Sequence, residues 1–524
     1  MESFIQRHGT ESLYTDILQI NYTDLLNDCI HHWFFIKDNE KAAGFDLLIQ
    51  YLKPERVIGR LAELRFNEGA CIARQVQFSS ALSYDGHPVK TIATYYHRLA
   101  NGGLERVLCQ LCHLWTAMGY RVLVLTDKAP CNEDYPLPSG VERIVLPDWE
   151  AVTPQTYHER ATVLRRILHD HHVDAVVHHA WVNRLLLWDE LTIKAAGAAC
   201  IIHCHSIFSI GLWGGNYEAL GAPYLLADAT VVLSKTDYAF WKYFNNNVHA
   251  TINPLSENIA DWLPSSYTPN HSILWLARLD PQKYPMDLIP IMEEVVRVVP
   301  DAVLHVIGKS ENGSIETALR EEIARHHLEG HIILEGFHTD VKPWYKTCQV
   351  FLLTSAFEGY CLTLAESKMA GIPCVMYELP YLTLCEGNRG ILPVPQRDIR
   401  AAARALCSLL TDDDLCASMG RDARAHIEEL ARFDFQKKWH QIFESIEHPH
   451  APLVSREDKM MMETLIDHYM KGLQDAKNCL HNARMTRKEA IKVLIPNRLK
   501  PLLKAILRHI PSGVKKPIKR LLHW

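Results

Sequence analysis

Residues 350–376, VFLLTSAFEGYCLTLAESKMAGIPCVM, constrain the fold more than any other part of the chain. The run 350–353 has strand length and is wholly apolar, as in a strand buried on both faces. Thr354 and Ser355 end it, and a loop over 356–361 carries Glu358 and Gly359. Leu362, Leu364, Ala365, Met369 and Ala370 then recur at helical spacing, and Gly371 ahead of Pro373 stops the helix. Residues 374–376 read as the next strand. Strand, loop, helix and strand in this order make one βαβ unit of a parallel sheet.

Two carboxylates of this unit stand out. Glu358 lies in the loop at the carboxyl end of a strand, where open α/β sheets place ligands. Glu366 lies about one turn into the helix. Between them the first N–H groups of the helix, near Leu362, Thr363 and Leu364, offer free donors and the positive end of the dipole to a phosphate. The arrangement suits a ligand with a diphosphate in its middle and hydroxyls at both ends, such as a nucleotide sugar. Spacing alone leaves a second reading open, with Glu358 a solvated loop residue and Glu366 a helix-start charge favoured by the dipole.

Composition sets the frame around this unit. A chain of 524 residues has room for about three domains. Apolar content of 48% against 22% charged is that of a soluble globular protein. A formal net charge of −6 argues against a basic, nucleic-acid-coating protein, so no nucleic-acid partner is expected. The fourteen cysteines are scattered with no regular framework. Glu2, Arg7, His8, Glu11 and Asp16 interrupt the start, where a signal peptide needs an apolar run. Reduced thiols and a cytoplasmic location are therefore expected. No stretch approaches the ~18 apolar residues of a spanning helix.

Residues 1–85 are apolar at helical spacing and read as a small helical region without a motif. From 86 onward the pattern alternates. Residues 89–95 read as a strand, Gly102 and Gly103 open a helix over about 104–118, and 121–125 read as a strand. A glycine pair at a helix start lets backbone approach a ligand closely. Cys109 and Cys112 form a C-x-x-C by letter but lie on the apolar helix face, which points to packing. A strand at 141–146, a helix at 157–169 and a strand at 175–178 follow. His169, His171, His172, His178 and His179 lack helical zinc-ligand spacing with a third ligand, and read as a polar connection. An apolar strand at 198–202 leads into His203, Cys204 and His205, which puts His205 in the ligand zone. Another strand spans 227–232. The polar, proline-containing stretch 255–270 after Asn253 and Pro254 reads as the domain boundary. The second domain opens with a strand at 273–279, and Arg278 and Lys283 stand at its end and just after. Two cations there can neutralise a diphosphate leaving group. Strands at 303–307 and 332–334 run into Gly308 and Gly336, and helices at 399–411 and 412–431 close the domain.

The string SAFEGYCLTLAESKMAGIPCV resembles the E-x7-E signature of retaining glycosyltransferases of family 4, which have the GT-B fold. GGLERVLCQL is similar to that family's G-G-x-E-R segment. LARLDPQKYPMDLI is similar to its G-R-L-x-x-x-K-G segment, with Ala277 and Tyr284 in place of glycines. The resemblance covers about residues 90–445. It implies an α/β protein with two Rossmann-like domains facing a cleft: an acceptor-side domain at 86–255 and a nucleotide-sugar-binding domain at 256–447. Helical extensions at 1–85 and 448–524 flank them. It implies Glu358, Arg278, Lys283 and His205 as the catalytic residues. Gly102, Gly103, Gly308, Gly336 and Gly359 are implied at the donor, with Tyr360, Cys361, Leu362, Thr363 and Leu364 beside the phosphates and Glu366 on the ribose. The donor is a nucleotide-diphosphate sugar, a UDP-sugar being favoured, and the acceptor a glycan or lipid-linked hydroxyl. No metal and no further cofactor are implied. Rival readings are a non-catalytic nucleotide-sugar binder, an epimerase or phosphorylase of the same fold, and an enzyme with a small or protein acceptor.

Residues 484–524 carry twelve Lys and Arg against Glu489 alone, a net +11 on a chain of −6. Leucines and isoleucines are interleaved. This basic amphipathic stretch reads as a contact with an anionic membrane surface, which makes the expected location peripheral on the inner face of the membrane. A solvated or nucleic-acid-binding tail is the alternative.

Overall fold

The computed structural model describes residues 84–447, except 101, 154–155, 181–182, 209–221, 243–244, 256–258, 263–268 and 311. The readings made for 1–83, for 448–524 and for much of the 255–270 boundary lie outside the described residues.

Two parallel sheets organise the chain. The first is built from β1 (Thr91–Tyr95), β2 (Arg121–Thr126), β3 (Glu142–Val145), β4 (Ala175–His178), β5 (Ala199–His203), β6 (Ala229–Val232) and β7 (Val248–Ala250), in the order β3-β2-β1-β4-β5-β6-β7. The second holds β8 (Ser272–Leu276), β9 (Val303–Ile307), β10 (Ile332–Gly336), β11 (Val350–Leu353), β12 (Cys374–Tyr377) and β13 (Ile391–Val394), in the order β10-β9-β8-β11-β12-β13. Each is a doubly wound sheet whose strand order reverses beside its first strand. Ligands of such sheets sit at the carboxyl ends at that reversal. In the first sheet the reversal falls between β1 and β4, and in the second between β8 and β11.

The crossovers follow from the sequence. In the first domain they include α1 (Gly103–Ala117), α2 (Tyr157–Asp170), α3 (Leu186–Ala195), α4 (Ala222–Leu226) and α5 (Lys235–Trp241). In the second they include α6 (Leu288–Val298), α7 (Ser314–Arg325), α8 (Lys342–Thr347), α9 (Leu362–Ala370), α10 (Ile399–Thr411) and α11 (Asp413–Leu430). α10 and α11 start on Asp398 and Asp412, whose carboxylates accept from the N–H groups of Ala401 and Leu415 at 2.9 Å each. Cys109 and Cys112 are buried in α1, in keeping with a packing role.

A last helix, α12 (Phe435–Glu447), corrects the expected boundary. Residues up to 447 were expected in the second domain, but α12 packs on the first. Trp439 stands edge-on to Trp115 of α1 at 4.8 Å, and Phe443 and Ile446 join the core around Val107 and Leu111. Trp115 and Trp439 are both buried, and losing either ring would cost about 3–5 kcal/mol, so α12 belongs to that core. The chain thus crosses between the domains twice. Its described ends also meet: the Val89 N–H donates to Glu447 Oε1 at 2.9 Å, and the Glu447 carbonyl lies 2.6 Å from where a Cβ on Gly86 would stand.

One buried pair in the second domain gives a pH prediction. The Lys368 ammonium donates to the Arg389 carbonyl at 2.5 Å and to His426 Nδ1 at 3.0 Å. Burial lowers Lys368 to about 8. Burial, then the Lys368 and Arg389 charges, lower His426 from 6.5 to about 4, with Glu429 and Asp422 opposing. Between those values the unfolded chain binds the extra proton. The stability from neutral His426 is therefore full above about pH 6.5 and is lost as the pH falls toward 4, by about 2–3 kcal/mol. His426→Gln should flatten the dependence of Tm on pH across that window. An unchanged slope would remove His426 from the acid limb.

Candidate active site

The carboxyl ends of the two sheets bound a cleft of about 680 Å³. One wall comes from the second domain: Ala277 and Arg278 after β8, Gln282 and Lys283 on the following 3-10 turn, and the 357–363 loop and helix start. The other comes from the first domain: Gly102, Gly103 and Arg106 at the start of α1, and His205 and Ser206 after β5. The four residues expected to be catalytic therefore share one cavity.

Local chemistry holds the second-domain wall. Asp280 caps the 3-10 turn Pro281–Lys283 by accepting from the Gln282 N–H at 2.9 Å. Gln282 Nε2 donates to the Phe357 carbonyl at 2.8 Å, while the Gln282 carbonyl accepts from the Ala356 N–H at 2.8 Å. Thr354 Oγ1 donates to the Lys283 carbonyl at 2.6 Å and accepts from Trp275 Nε1 at 2.9 Å. The two loops are thereby strapped together. The Lys283 ammonium donates to Glu358 Oε1, which also accepts from Ser355 Oγ at 2.6 Å. Tyr381 fixes the Glu358 backbone, since its hydroxyl accepts from the Glu358 N–H and donates to the Glu358 carbonyl, both at 3.0 Å. The Arg278 guanidinium has no hydrogen bond or ion pair among the described residues.

The helix start refines the expected phosphate donors. Cys361 caps α9 with φ +69°, and its carbonyl accepts from the N–H groups of Leu364 and Ala365 at 3.1 and 3.2 Å. The Leu364 donor is therefore in use, and its side chain is core rather than wall. The N–H groups of Leu362 and Thr363 have no acceptor among the described residues. Tyr360 and Cys361 line the cleft as expected.

The glycines divide in the same way. Gly102, Gly103 and Gly359 line the cavity, and Gly308 and Gly336 do not. Gly308 is required by packing: its φ is +148°, and a Cβ there would stand 1.9 Å from the Ala277 carbonyl oxygen. Gly359 marks a tight backbone approach between the domains. A Cβ on it would stand 1.8 Å from the His205 carbonyl oxygen.

Glu366 is buried and already bridged. Its Oε1 accepts from Arg106 Nη2 at 2.5 Å, across the domains, and its Oε2 accepts from the Tyr345 hydroxyl at 3.0 Å. Sequence reasoning missed Arg106, although it stands in the GGLER string. It also missed Gln282, Phe337, His338 and Asn253, whose buried Oδ1 has no partner. Residues such as Gln282 act through backbone straps, which carry no residue pattern.

The histidines need a correction. His178 and His179 are not a polar surface connection. Both are buried at the end of β4, between β1 and β5, and only the earlier histidines of that run reach solvent. His205 is lowered by burial to about 3.

Comparison with known proteins fits this geometry. The chain is 27% identical over 190 residues to the Streptococcus pneumoniae UDP-N-acetylglucosamine–peptide N-acetylglucosaminyltransferase GtfA subunit, covering 34% of this chain and 36% of that one. It is 24% identical over 185 residues to the Staphylococcus aureus poly(ribitol-phosphate) alpha-N-acetylglucosaminyltransferase, covering 35% and 37%. The matches thus span little more than a third of those relatives. Among solved structures, Anabaena Alr3699/HepE in complex with UDP and glucose superposes with a TM-score of 0.56 at 17% identity, covering 69% of this chain and all of that one. That likeness supports the two-domain GT-B fold. Residues 101–268 match the family described as Glycosyltransferase Family 4, and residues 264–426 the family described as Glycosyl transferases group 1. Together the two matches span residues 101–426, and with two parallel doubly wound sheets facing one cleft they support a GT4-type glycosyltransferase.

Proposed function

We propose that this chain is a retaining glycosyltransferase that moves a sugar from a UDP-sugar to a hydroxyl of a surface or cell-wall glycan. One observation carries the reading. Unpartnered Arg278, Lys283 and the two unused N–H groups of α9 converge on one cleft, with Glu358 and Glu366 on either side. In the reaction the bond from the anomeric carbon to the diphosphate breaks, and a bond to the acceptor oxygen forms on the same face. The acceptor proton passes to the departing diphosphate. Arg278 and Lys283 stabilise the charge that develops on that leaving group. Glu358 orients the donor sugar, His205 meets the sugar from the other domain, and Glu366 takes the ribose hydroxyls after exchanging Arg106 for them. The poly(ribitol-phosphate) acceptor of the Staphylococcus aureus relative and the UDP bound in the Anabaena structure support the choice of acceptor and donor.

Calorimetry with UDP separates the two carboxylates. Glu366→Gln should weaken UDP binding about ten- to a hundredfold, from loss of a charged hydrogen bond worth roughly 1.5–3 kcal/mol. Glu358→Gln should keep UDP affinity and lose turnover with the sugar donor. Equal UDP affinity in the wild type and Glu366→Gln would remove the ribose assignment.

The peripheral membrane location is part of the same proposal. No helix among the described residues is long and apolar enough to cross a membrane. Residues 484–524 would supply the contact through their net +11. Deleting them should abolish co-sedimentation with phosphatidylglycerol vesicles, and raised salt should weaken it in the full chain. Equal pelleting of both forms would exclude the tail as anchor.

A further inference from the structure

Behind the first-domain wall three imidazoles converge. His179 follows β4, His203 ends β5, and His205 stands two residues further on. The ring centroids of His203 and His205 are 4.1 Å apart, and that of His179 lies 5.0 Å from His205 and 5.1 Å from His203. One nitrogen from each ring can be chosen so that all three lie within 4.8 Å of one another. His179 Nδ1 and His205 Nε2 are 2.7 Å apart. Both nitrogens of His203, and Nε2 of His179, are buried with no hydrogen-bond partner among the described residues. His179 and His203 are 0% and 1% exposed.

Buried imidazole nitrogens without partners are costly, at roughly 1–3 kcal/mol each. A single His–His hydrogen bond satisfies one nitrogen on each of two rings and leaves His203 with nothing. A cation accounts for all three rings at once. A neutral imidazole carries one lone pair, so each ring can supply one ligand nitrogen. Tetrahedral zinc with Zn–N of about 2.0–2.1 Å needs its nitrogens about 3.4 Å apart. The observed spacings, 2.7 Å for His179 Nδ1 to His205 Nε2 and within 4.8 Å for the set, lie on either side of that value. The ligand set is all imidazole, which suits zinc and its first-row neighbours and not magnesium or calcium.

We propose that His179, His203 and His205 bind one divalent first-row transition ion of the zinc class, with the fourth position left to water. The ion would fix the His205 ring through Nε2 and leave Nδ1 as its free ring nitrogen beside the cleft. The site is separate from the diphosphate cations, and its test does not depend on transferase activity.

Full-length, untagged protein is washed with EDTA, dialysed against Zn2+, and assayed by plasma mass spectrometry and competition with a chromophoric chelator. The expected result is one zinc per chain. His203→Gln and His179→Gln should each weaken binding by more than about a hundredfold, since even an outer partner of a zinc ligand is worth about 10–100-fold. His169→Gln, on the exposed surface, should bind as wild type does. Co2+ loaded into the unaltered chain should give the intense visible absorption of a tetrahedral site, which keeps the proposal testable where a variant fails to fold. No Zn2+ uptake by the wild type, no such Co2+ spectrum, or wild-type affinity in both ligand variants would overturn it.

Discussion

Lys283→Ala is expected to lower turnover by about two to three orders of magnitude, the usual cost of removing one preorganised group from a developing anion. The structure adds a second reason. Lys283 and Glu358 form a largely enclosed ion pair, at 12% and 13% side-chain exposure. Alanine therefore removes the counter-charge of Glu358 as well as the cation meant for the leaving group. Lys283→Arg keeps the charge but not the compact ammonium, and should recover only part of the rate. Tm should fall as well, because Glu358 is left largely enclosed without its counter-charge. Turnover of Lys283→Ala within a few-fold of wild type would show that the diphosphate lies elsewhere.

Gly359→Ala should cut turnover by about a hundredfold without unfolding either domain. Gly359 does not occupy the left-handed backbone region, so alanine meets no backbone strain there. The added Cβ meets the first domain instead, 1.8 Å from the His205 oxygen, 2.6 Å from its carbonyl carbon and 2.9 Å from Ser206 Cα. These are backbone atoms that cannot swing aside, so the domains must part by an ångström or more. A 1 Å misplacement of reacting groups costs about 10² in rate. The loop that retreats carries Glu358, so donor sugar and His205 separate while UDP binding within the second domain persists. An alanine variant with full turnover would mean that the working arrangement does not bring these two segments together.

Much of this architecture is legible from residues alone. Runs such as VLVL and VFLL are apolar throughout, so they announce strands buried on both faces, and the glycine pair and the 356–361 loop announce the carboxyl edge. The placement of α12 is not legible in that way. FQKKWHQIFESIE has the spacing of any amphipathic closing helix, and nothing local says that Trp439 will meet Trp115. His178 and His179 were misjudged for a related reason. Their burial depends on β1 and β5 closing over them, which is a property of sheet order. The Arg106–Glu366 bridge joins two motifs that are each visible but whose contact exists only once the domains face each other.

The meeting of Gly86, Val89 and Glu447 on the first domain has a mechanical consequence. The described chain therefore begins and ends at one place on the first domain. On the proposed function, a tail gripping a bilayer would hold that domain as a stator and leave the second domain as the moving part. Two crossings of the chain join the halves, so the second domain would rock about them more readily than twist. The donor could then be loaded and UDP discharged on the solvent side while the acceptor stays at the surface.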